Sequence, residues 1–209
     1  MDNRDPPMPK VSEAHLEARR NQILEAAALC FSRAGFQATT IQAICNEAEL
    51  STGAVYRYFN SKDEIIAAIA EMGRQTTQDI LEEAKSADSA TLSLAQMMAA
   101  SLNVVHSPET DMSNRLSLLL WGEALRAPRI NELLVDALAN LAQPFTAEVQ
   151  RGQQRGEISD SLYPANVGRI LVALGIGYTV LAAVDPQPHA ASTRAISALL
   201  TGEFTKERN

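Results

Sequence analysis

The sequence has few of the residues that build catalytic or metal sites. Its 209 residues include two cysteines and three histidines. No Cys/His spacing suits zinc, and two cysteines do not make a disulfide scaffold. A Gly-x-Ser-x-Gly motif and a phosphate-binding glycine loop are also missing. We therefore predict that the protein is not an enzyme, with no catalytic residues, no metal ligands and no cofactor.

Long apolar runs are scarce as well. Residues 1–10 contain no apolar segment of the kind that marks a secretory signal. The longest nearly apolar run, residues 170–184, is interrupted by glycine, tyrosine and threonine and ends at Asp185-Pro186. Because a spanning helix needs ~20 apolar residues, we interpret this run as a buried helix. We expect a cytoplasmic protein without a membrane partner.

Positive charge is also in deficit, with 18 Lys and Arg against 25 Asp and Glu and a net charge of −7. That balance argues against nucleic-acid binding by the whole surface. The deficit is uneven, since residues 1–62 contain seven basic and seven acidic side chains and residues 63–209 contain 11 and 18. This asymmetry indicates two segments with different tasks.

The sequence is rich in apolar residues at helical spacing. Hydrophobic residues make up 46% of the chain and aromatic residues only 5%, and no alternation long enough for a strand is present. We predict an all-α protein: a flexible arm at 1–11, a three-helix head at 12–65 and a C-terminal helical domain at 66–209. The helices are expected at about 23–34, 41–48, 51–58, 61–85, 91–106, 112–126, 130–151 with a kink at Pro144, 164–184 and 190–201.

Polar residues mark the beginnings of the short N-terminal helices. Thr39 with Gln42 and Ser61 with Glu64 have capping-box spacing, and Ser51 can cap the third helix. Two short helices joined by a turn of three or four residues cannot lie antiparallel, so they cross steeply over the first helix. This arrangement is a helix-turn-helix, here about residues 40–59, whose second short helix can enter a DNA major groove.

The same stretch carries a family resemblance. Residues 39–65, TTIQAICNEAELSTGAVYRYFNSKDEI, resemble the signature of the tetracycline-repressor (TetR) family of bacterial transcription regulators. Residues 121–128, WGEALRAP, and residues 155–158, RGEI, are similar to segments of the C-terminal domains of that family. One position departs from the pattern, because Glu49 stands where the family usually has glycine in the turn.

The resemblance implies a regulator, usually a repressor, that binds a palindromic DNA operator as a homodimer and responds to a small molecule. Hydroxyls and an ammonium group suit phosphate oxygens, arginine suits guanine, and small residues let the helix approach the groove. Tyr58 fits either a backbone contact or the core. The predicted DNA-binding set is Thr40, Ser51, Thr52, Gly53, Ala54, Tyr56, Arg57, Tyr58 and Lys62.

The middle helices of the second domain are expected to hold the effector site. Methionine and aromatic residues line adaptable cavities and also form ordinary cores. Their apolar majority favours a hydrophobic or amphipathic effector with a polar anchor. The candidate ligand-binding residues are Met97, Met98, His106, Trp121, Glu123 and Phe145.

The last two helices are the candidate dimer face, because the first of them is apolar nearly all round and must be covered. The alternative is a helix buried inside one protomer. The predicted interface residues are Gly168, Leu171, Gly175, Tyr178, Ile196 and Leu199. For the whole protein, the alternative is a helical ligand-binding or interaction module that retains the fold and has little affinity for DNA, which the neutral head leaves open.

Overall fold

The computed structural model describes residues 13–86, 88–105, 110–185 and 190–202. Within these ranges the chain forms nine α-helices and no strand, so the predicted all-α class is confirmed. The predicted N-terminal arm lies outside the described residues. The helices are α1 Glu13–Ala38, α2 Ile41–Glu47, α3 Thr52–Tyr56, α4 Lys62–Glu83, α5 Ala90–Val105, α6 Asp111–Ala124, α7 Pro128–Gln154, α8 Pro164–Val184 and α9 Ala190–Thr201.

The chain divides into two compact units between Ile65 and Ile66, inside α4. The first unit, which we call the head, contains α1, α2, α3 and the start of α4. Its core is built from large apolar side chains that are almost fully buried, and burial of this kind is the main stabilising term in folding. These side chains are Ile23, Phe31, Ile44, Val55 and Phe59.

The end of α1 is stabilised by side chains rather than by a simple stop. Gly35 has φ 78°, which breaks the helical geometry at the predicted position. The hydroxyl of Thr39 donates to the carbonyls of Gly35 at 2.8 Å and Cys30 at 3.2 Å. Thr40, not Thr39, caps α2, because its Oγ1 accepts the N–H of Ala43 at 3.1 Å. The predicted Thr39 cap is therefore wrong by one residue.

The other two predicted caps are confirmed. Ser51 Oγ accepts the backbone N–H of Ala54 at 3.2 Å and begins α3. Ser61 Oγ accepts the N–H of Glu64 at 3.2 Å, while the Glu64 carboxylate accepts the N–H of Asn60 at 2.7 Å. These caps satisfy orphan N–H groups at the helix starts, and the cap of α3 does so in a helix of five residues, which is too short to be stable alone.

The second unit is organised around α5, α7 and α8. Its core cluster contains Leu81, Leu94, Met97, Met98, Leu102, Phe145, Val149 and Leu171. The helix α7 runs from Pro128 to Gln154 as one element, and Pro144 lies buried within it. The kink predicted at Pro144 does not interrupt the helix.

The segment after α7 links it to the start of α5. Glu157 Oε2 accepts the N–H of Ala90 at 2.6 Å and the hydroxyl of Ser89 at 3.1 Å. The Ala90 N–H, and after it the Ser89 hydroxyl and the Arg155 guanidinium, hold the pKa of Glu157 below its ordinary value. The segment RGEI at residues 155–158, which is similar to the TetR family, therefore caps the start of α5 through Glu157.

The helix α8 is largely exposed within one protomer, which argues against the alternative of a helix buried inside one protomer. It is 21 residues long, and only 11% of its most apolar 18-residue window is buried. Length and composition alone would let it cross a membrane, although helices of soluble proteins pass the same test. Gly168 and Leu171 are buried on its inner side, leaving a broad apolar surface outside.

Candidate nucleic-acid interface

The turn between α2 and α3 has a defined hydrogen-bond pattern. The N–H of Glu49 donates to the carbonyl of Asn46 at 3.3 Å, and the N–H of Leu50 donates to that of Cys45 at 3.0 Å. This pair of bonds is a Schellman motif, which requires a left-handed residue after the helix. Glu49 is that residue, with φ 54°. The turn keeps the geometry that suits glycine, with a glutamate in its place.

A side chain of α1 supports this turn from the other side. Gln22 Nε2 donates to the carbonyl of Ala48 at 2.8 Å, and Arg19 Nη1 donates to Gln22 Oε1 at 2.8 Å. Ala48 is itself buried. The turn is thus tied to the first helix, which holds α2 and α3 at a fixed angle.

The helix α3 buries one side and presents the other to solvent. Val55 is fully buried, whereas Thr52, Gly53 and Arg57 are exposed and Tyr56 is 49% exposed. A Cβ atom added at Gly53 would meet nothing within 4 Å. Packing inside the protein therefore does not require glycine at that position.

The other predicted contacts lie within α3 and beside its two ends. Ala54 and Tyr58 are partly exposed, and Ser51 is exposed at the cap. Because the Ser51 hydroxyl accepts a backbone hydrogen bond through its oxygen, its proton can still be donated to a phosphate. The same holds for Thr40 at the start of α2, so both cap residues combine helix capping with a donor at the surface.

Arg57 follows α3 and lines a groove shared with the beginning of α1. The groove has a volume of about 540 Å³ and is lined by Glu13, Leu16, Glu17, Arg20, Arg57 and Tyr58. The guanidinium of Arg20 lies 5.3 Å from the centre of the Phe59 ring. Two carboxylates therefore share the groove with the predicted base-reading arginine and moderate the positive charge there.

Lys62 is placed differently from a free surface lysine. Its ammonium donates to the carbonyls of Phe36 at 2.6 Å, Thr39 at 3.1 Å and Gln37 at 3.4 Å. An ammonium has three donors, so these bonds match its full capacity. A phosphate contact by Lys62, which the sequence predicts, requires at least one of these carbonyls to be released.

Gln42 and Asn46 are two polar residues of α2 that the predicted DNA-binding set does not include. Both are exposed on α2, and Gln42 Oε1 accepts the hydroxyl of Thr52 at 3.3 Å. Gln42 Nε2 donates to Asn46 Oδ1 at 3.0 Å. Their i, i+4 spacing opposite the apolar positions of the helix was the available signal.

The predicted effector residues lie mainly in the core of the second unit. Met97, Met98 and Phe145 are at most 3% exposed, and they pack in the core cluster. Glu123 is buried at 7% exposure, and Trp121 is partly exposed. His106 lies outside the described residues.

The predicted dimer residues face different directions, and two of them need correction. Gly168 lies against α7, where an added Cβ would be 2.5 Å from Thr146 Oγ1, and Leu171 belongs to the core cluster. Both are covered within their own chain and cannot form the outer surface. Tyr178 and Ile196 are partly buried against the same core.

The exposed apolar surface of α8 and α9 contains the predicted Leu199 and residues that the prediction missed, whereas Gly175 is one heptad from Gly168 and lies on the same side of α8. Leu199 is 52% exposed, and a Cβ at Gly175 would meet nothing within 4 Å. The residues that the prediction missed are Ile170, Leu174, Leu181 and Val184, which are 60%, 45%, 60% and 80% exposed. We call these four residues the α8 outer face.

A helix-turn-helix held by α1, with one side of α3 exposed and polar, defines the class of helix-turn-helix DNA-binding proteins. The family described as "Bacterial regulatory proteins, tetR family" matches residues 23–69. The family described as "BetI-type transcriptional repressor, C-terminal" matches residues 90–203, more than half of the chain. The protein belongs to the TetR family of transcription regulators, which are not enzymes.

Similar proteins cover almost the whole chain. The transcriptional regulator UidR of Escherichia coli K12 is 25% identical over 196 residues, which are 92% of this chain and 96% of UidR. The repressor Rv1474c of Mycobacterium tuberculosis is 28% identical over 187 residues, 88% of this chain and 94% of its own.

Solved structures share the fold at lower identity. Salmonella enterica GusR has a TM-score of 0.78 at 23% identity and covers 93% of this chain and 98% of its own. Bacillus subtilis FadR in complex with stearoyl-CoA has a TM-score of 0.70 at 19% identity, covering 88% and 99%. A complex of SmeT with triclosan has a TM-score of 0.72 at 22% identity, covering 91% and 93%.

Proposed function

We propose that this regulator is a homodimeric repressor that binds a palindromic operator and is released by a small, mostly hydrophobic effector. The observation that carries the DNA-binding part is the exposed side of α3. Thr52, Gly53 and Arg57 are open to solvent, while Val55 anchors the helix in the head. An exposed glycine without packing neighbours fits a helix that approaches a DNA groove closely.

Arg57 is proposed as the base reader, the hydroxyls of Thr40, Ser51 and Tyr56 as phosphate contacts, and the backbone N–H groups at the start of α3 as further phosphate donors. Arginine pairs bidentately with guanine O6 and N7, worth ~1–3 kcal/mol against a wrong base. Residues 1–62 have no net charge, and Asp63 and Glu64 add two negative charges to the head, so general attraction to phosphate is weak. Affinity for the operator therefore rests on contacts at specific positions, made twice in a dimer.

The α8 outer face supports dimerisation through α8 and α9. Four large apolar side chains there are 45–80% exposed in one protomer, and a contiguous apolar surface of this kind marks an interaction site. A second copy would cover it with the same residues, as a two-fold interface requires. Such a dimer places two heads on half-sites about 34–36 Å apart, or a multiple of that distance.

The effector is proposed to bind in the second unit and to change the spacing of the two heads. The bound molecules of the similar structures, stearoyl-CoA in FadR and triclosan in SmeT, favour a hydrophobic or amphipathic effector. Trp121 and Glu123 on α6 are the proposed aromatic and polar contacts. Coupling between two sites is reciprocal, so operator DNA should weaken effector binding by the same factor.

The test is binding of the protein to DNA that flanks its own gene. We expect a footprint over a palindrome and an affinity that falls steeply with salt. Arg57→Ala should lose discrimination between operator and mutated operator, and Arg74→Ala, outside the head, is the matched control. A folded protein that binds no DNA at low salt would overturn the proposal and favour the helical ligand-binding module.

Dimerisation is tested separately by sedimentation. Leu181→Glu should convert a dimer to monomers and lower operator affinity. The control Leu125→Glu changes a side chain that is 86% exposed at the end of α6, outside α8 and α9, and should leave the dimer intact. A wild-type protein that sediments as a monomer at all concentrations would contradict the homodimer.

A further inference from the structure

The exposed surface of α2 carries a short row of polar side chains that connects it to α3. Thr52 Oγ1 donates to Gln42 Oε1 at 3.3 Å, and Gln42 Nε2 donates to Asn46 Oδ1 at 3.0 Å. All three residues are exposed. The core side chains Ile44 and Cys45 of α2 are buried, whereas the three residues of the row are exposed, so the row is not part of the packing of the head.

The two bonds give the Gln42 amide a fixed orientation. A carboxamide has two N–H donors and an oxygen with two lone pairs. One donor is used by Asn46 and one lone pair by Thr52. One N–H of Nε2 and one lone pair of Oε1 remain on the carboxamide of this exposed side chain.

We propose that Gln42 reads an adenine in the operator, an assignment that rests on the proposed DNA-binding function. Adenine presents the N7 acceptor and the N6 donor in the major groove, and a glutamine amide pairs with both. The remaining donor and acceptor of Gln42 match that pattern. Asn46 and Thr52 act as positioning residues that hold the amide plane.

The position of Gln42 beside α3 supports base contact. In a helix-turn-helix, the N-terminal residues of the recognition helix contact base edges. Thr52 is the first residue of α3, and the amide oxygen of Gln42 lies 3.3 Å from its hydroxyl. Gln42 therefore extends the reading surface of α3 by one side chain from the preceding helix.

The experiment is selection of bound duplexes from a random DNA library, followed by sequencing. Wild-type protein should select an A·T pair at one position of each half-site. Gln42→Ala should lose the preference at that position by about 5- to 150-fold, the range of a bidentate amide contact, and keep the others. Gln42→Glu keeps an oxygen for Thr52 but has no N–H, and it should move the preference toward cytosine, whose N4 donates.

Two further variants and a control separate reading from structure. Asn46→Ala and Thr52→Val leave Gln42 in place but release its amide, so the preference should fall partway. Gln75→Ala removes an exposed amide on α4 that bonds to Asp79 at 2.8 Å, and it should leave every preference unchanged.

The possible results of this selection test the role of Gln42 separately from the proposed DNA-binding function. A wild-type protein that selects no sequence would overturn the proposed function and the role of Gln42 together. A wild-type protein with a clear motif, and a Gln42→Ala variant with the same motif, would overturn the role of Gln42 alone. Equal loss of affinity on all sequences would also overturn it, since a phosphate contact behaves in that way.

Discussion

Replacing Lys62 should mainly lower the stability of the head, and its direct effect on the affinity for DNA should be smaller. The Lys62 ammonium donates to three backbone carbonyls at the end of α1, of which Phe36 at 2.6 Å and Thr39 at 3.1 Å are the close ones. The contact with Gln37 is long at 3.4 Å and exposed. Lys62 therefore connects the start of α4 to residues 23 to 26 positions earlier in the chain.

The magnitude follows from the two close bonds. A hydrogen bond to a charged group contributes about 1.5–3 kcal/mol, and partial exposure reduces each one to about 1 kcal/mol here. Lys62→Met, which keeps the aliphatic stem, should lower the stability of the head by about 2 kcal/mol. If amides exchange through opening of the head, that loss raises their exchange rates by about 30-fold.

Hydrogen exchange measured by mass spectrometry separates the two units in one experiment. Peptides from α1, α2 and α3 should exchange faster in Lys62→Met, and peptides from α5 and α7 should not change. Lys85→Met is the matched control, because Lys85 forms a surface pair with Glu82 at 2.7 Å and such pairs contribute little. Unchanged exchange in the head, with uniformly weaker DNA binding, would refute this reasoning and assign the ammonium to phosphate.

Three other substitutions test features of the fold. Glu49→Gly should stabilise the head by about 1 kcal/mol in urea unfolding, because φ 54° is strained for a residue with a Cβ. Gly168→Ala should destabilise the second unit by about 1–3 kcal/mol, since the new Cβ would lie 2.5 Å from Thr146 Oγ1. Glu157→Gln should lower the melting temperature at pH 7, because the ionised carboxylate is the better acceptor for Ala90.

The pH dependence of the Glu157 effect has a definite sign. Its pKa is lowered in the folded protein, so its contribution is complete above the ordinary value of about 4.5. The contribution disappears as the pH falls through the lowered value, and wild type and Glu157→Gln should then melt alike. A constant difference down to acid pH would contradict the assignment of the cap to the ionised form.

Glu49→Gly and Gly168→Ala each have a control substitution that makes only part of the same change. Glu49→Ala keeps the positive φ and removes only the charge, so it should not reproduce the gain of Glu49→Gly. Gly122→Ala places a Cβ in open space within α6, and helix propensity should make it neutral or stabilising. A Gly168→Ala variant as stable as Gly122→Ala would show that the α7–α8 contact can relax without loss.

The bounds of a helix were predicted well from the sequence where a residue at its end, such as a proline or a capping serine, by itself determines where the helix begins or stops. The bounds of α8 were predicted at both ends, because Pro164 begins the helix and Asp185 precedes a proline. Ser51 likewise marked the start of α3. Adjacent threonines were harder to distinguish, since Thr39 and Thr40 both suit a cap and only the carbonyls at the end of α1 determine which hydroxyl is used.

The remaining errors concern which way a side chain faces, not whether its segment is helical. A helix that is apolar all round has no period that indicates its inner side. Gly168 and Gly175 are one heptad apart and were assigned to the same face, yet only Gly168 lies against α7. For Lys62, the distance between α4 and the end of α1 exists only after folding. Composition and residue spacing therefore predict neither the side of α8 that packs against α7 nor the contact of Lys62 with the end of α1.

If the proposed dimer forms through it, the exposed α8 outer face links regulation to the amount of protein in the cell. In the proposed dimer, the DNA-binding species forms from two chains, so at low expression its concentration rises with the square of the chain concentration. Operator occupancy would then change more steeply than the copy number of the protein. A substitution at Ile170 or Val184, in the second unit, would therefore alter the expression level at which repression begins.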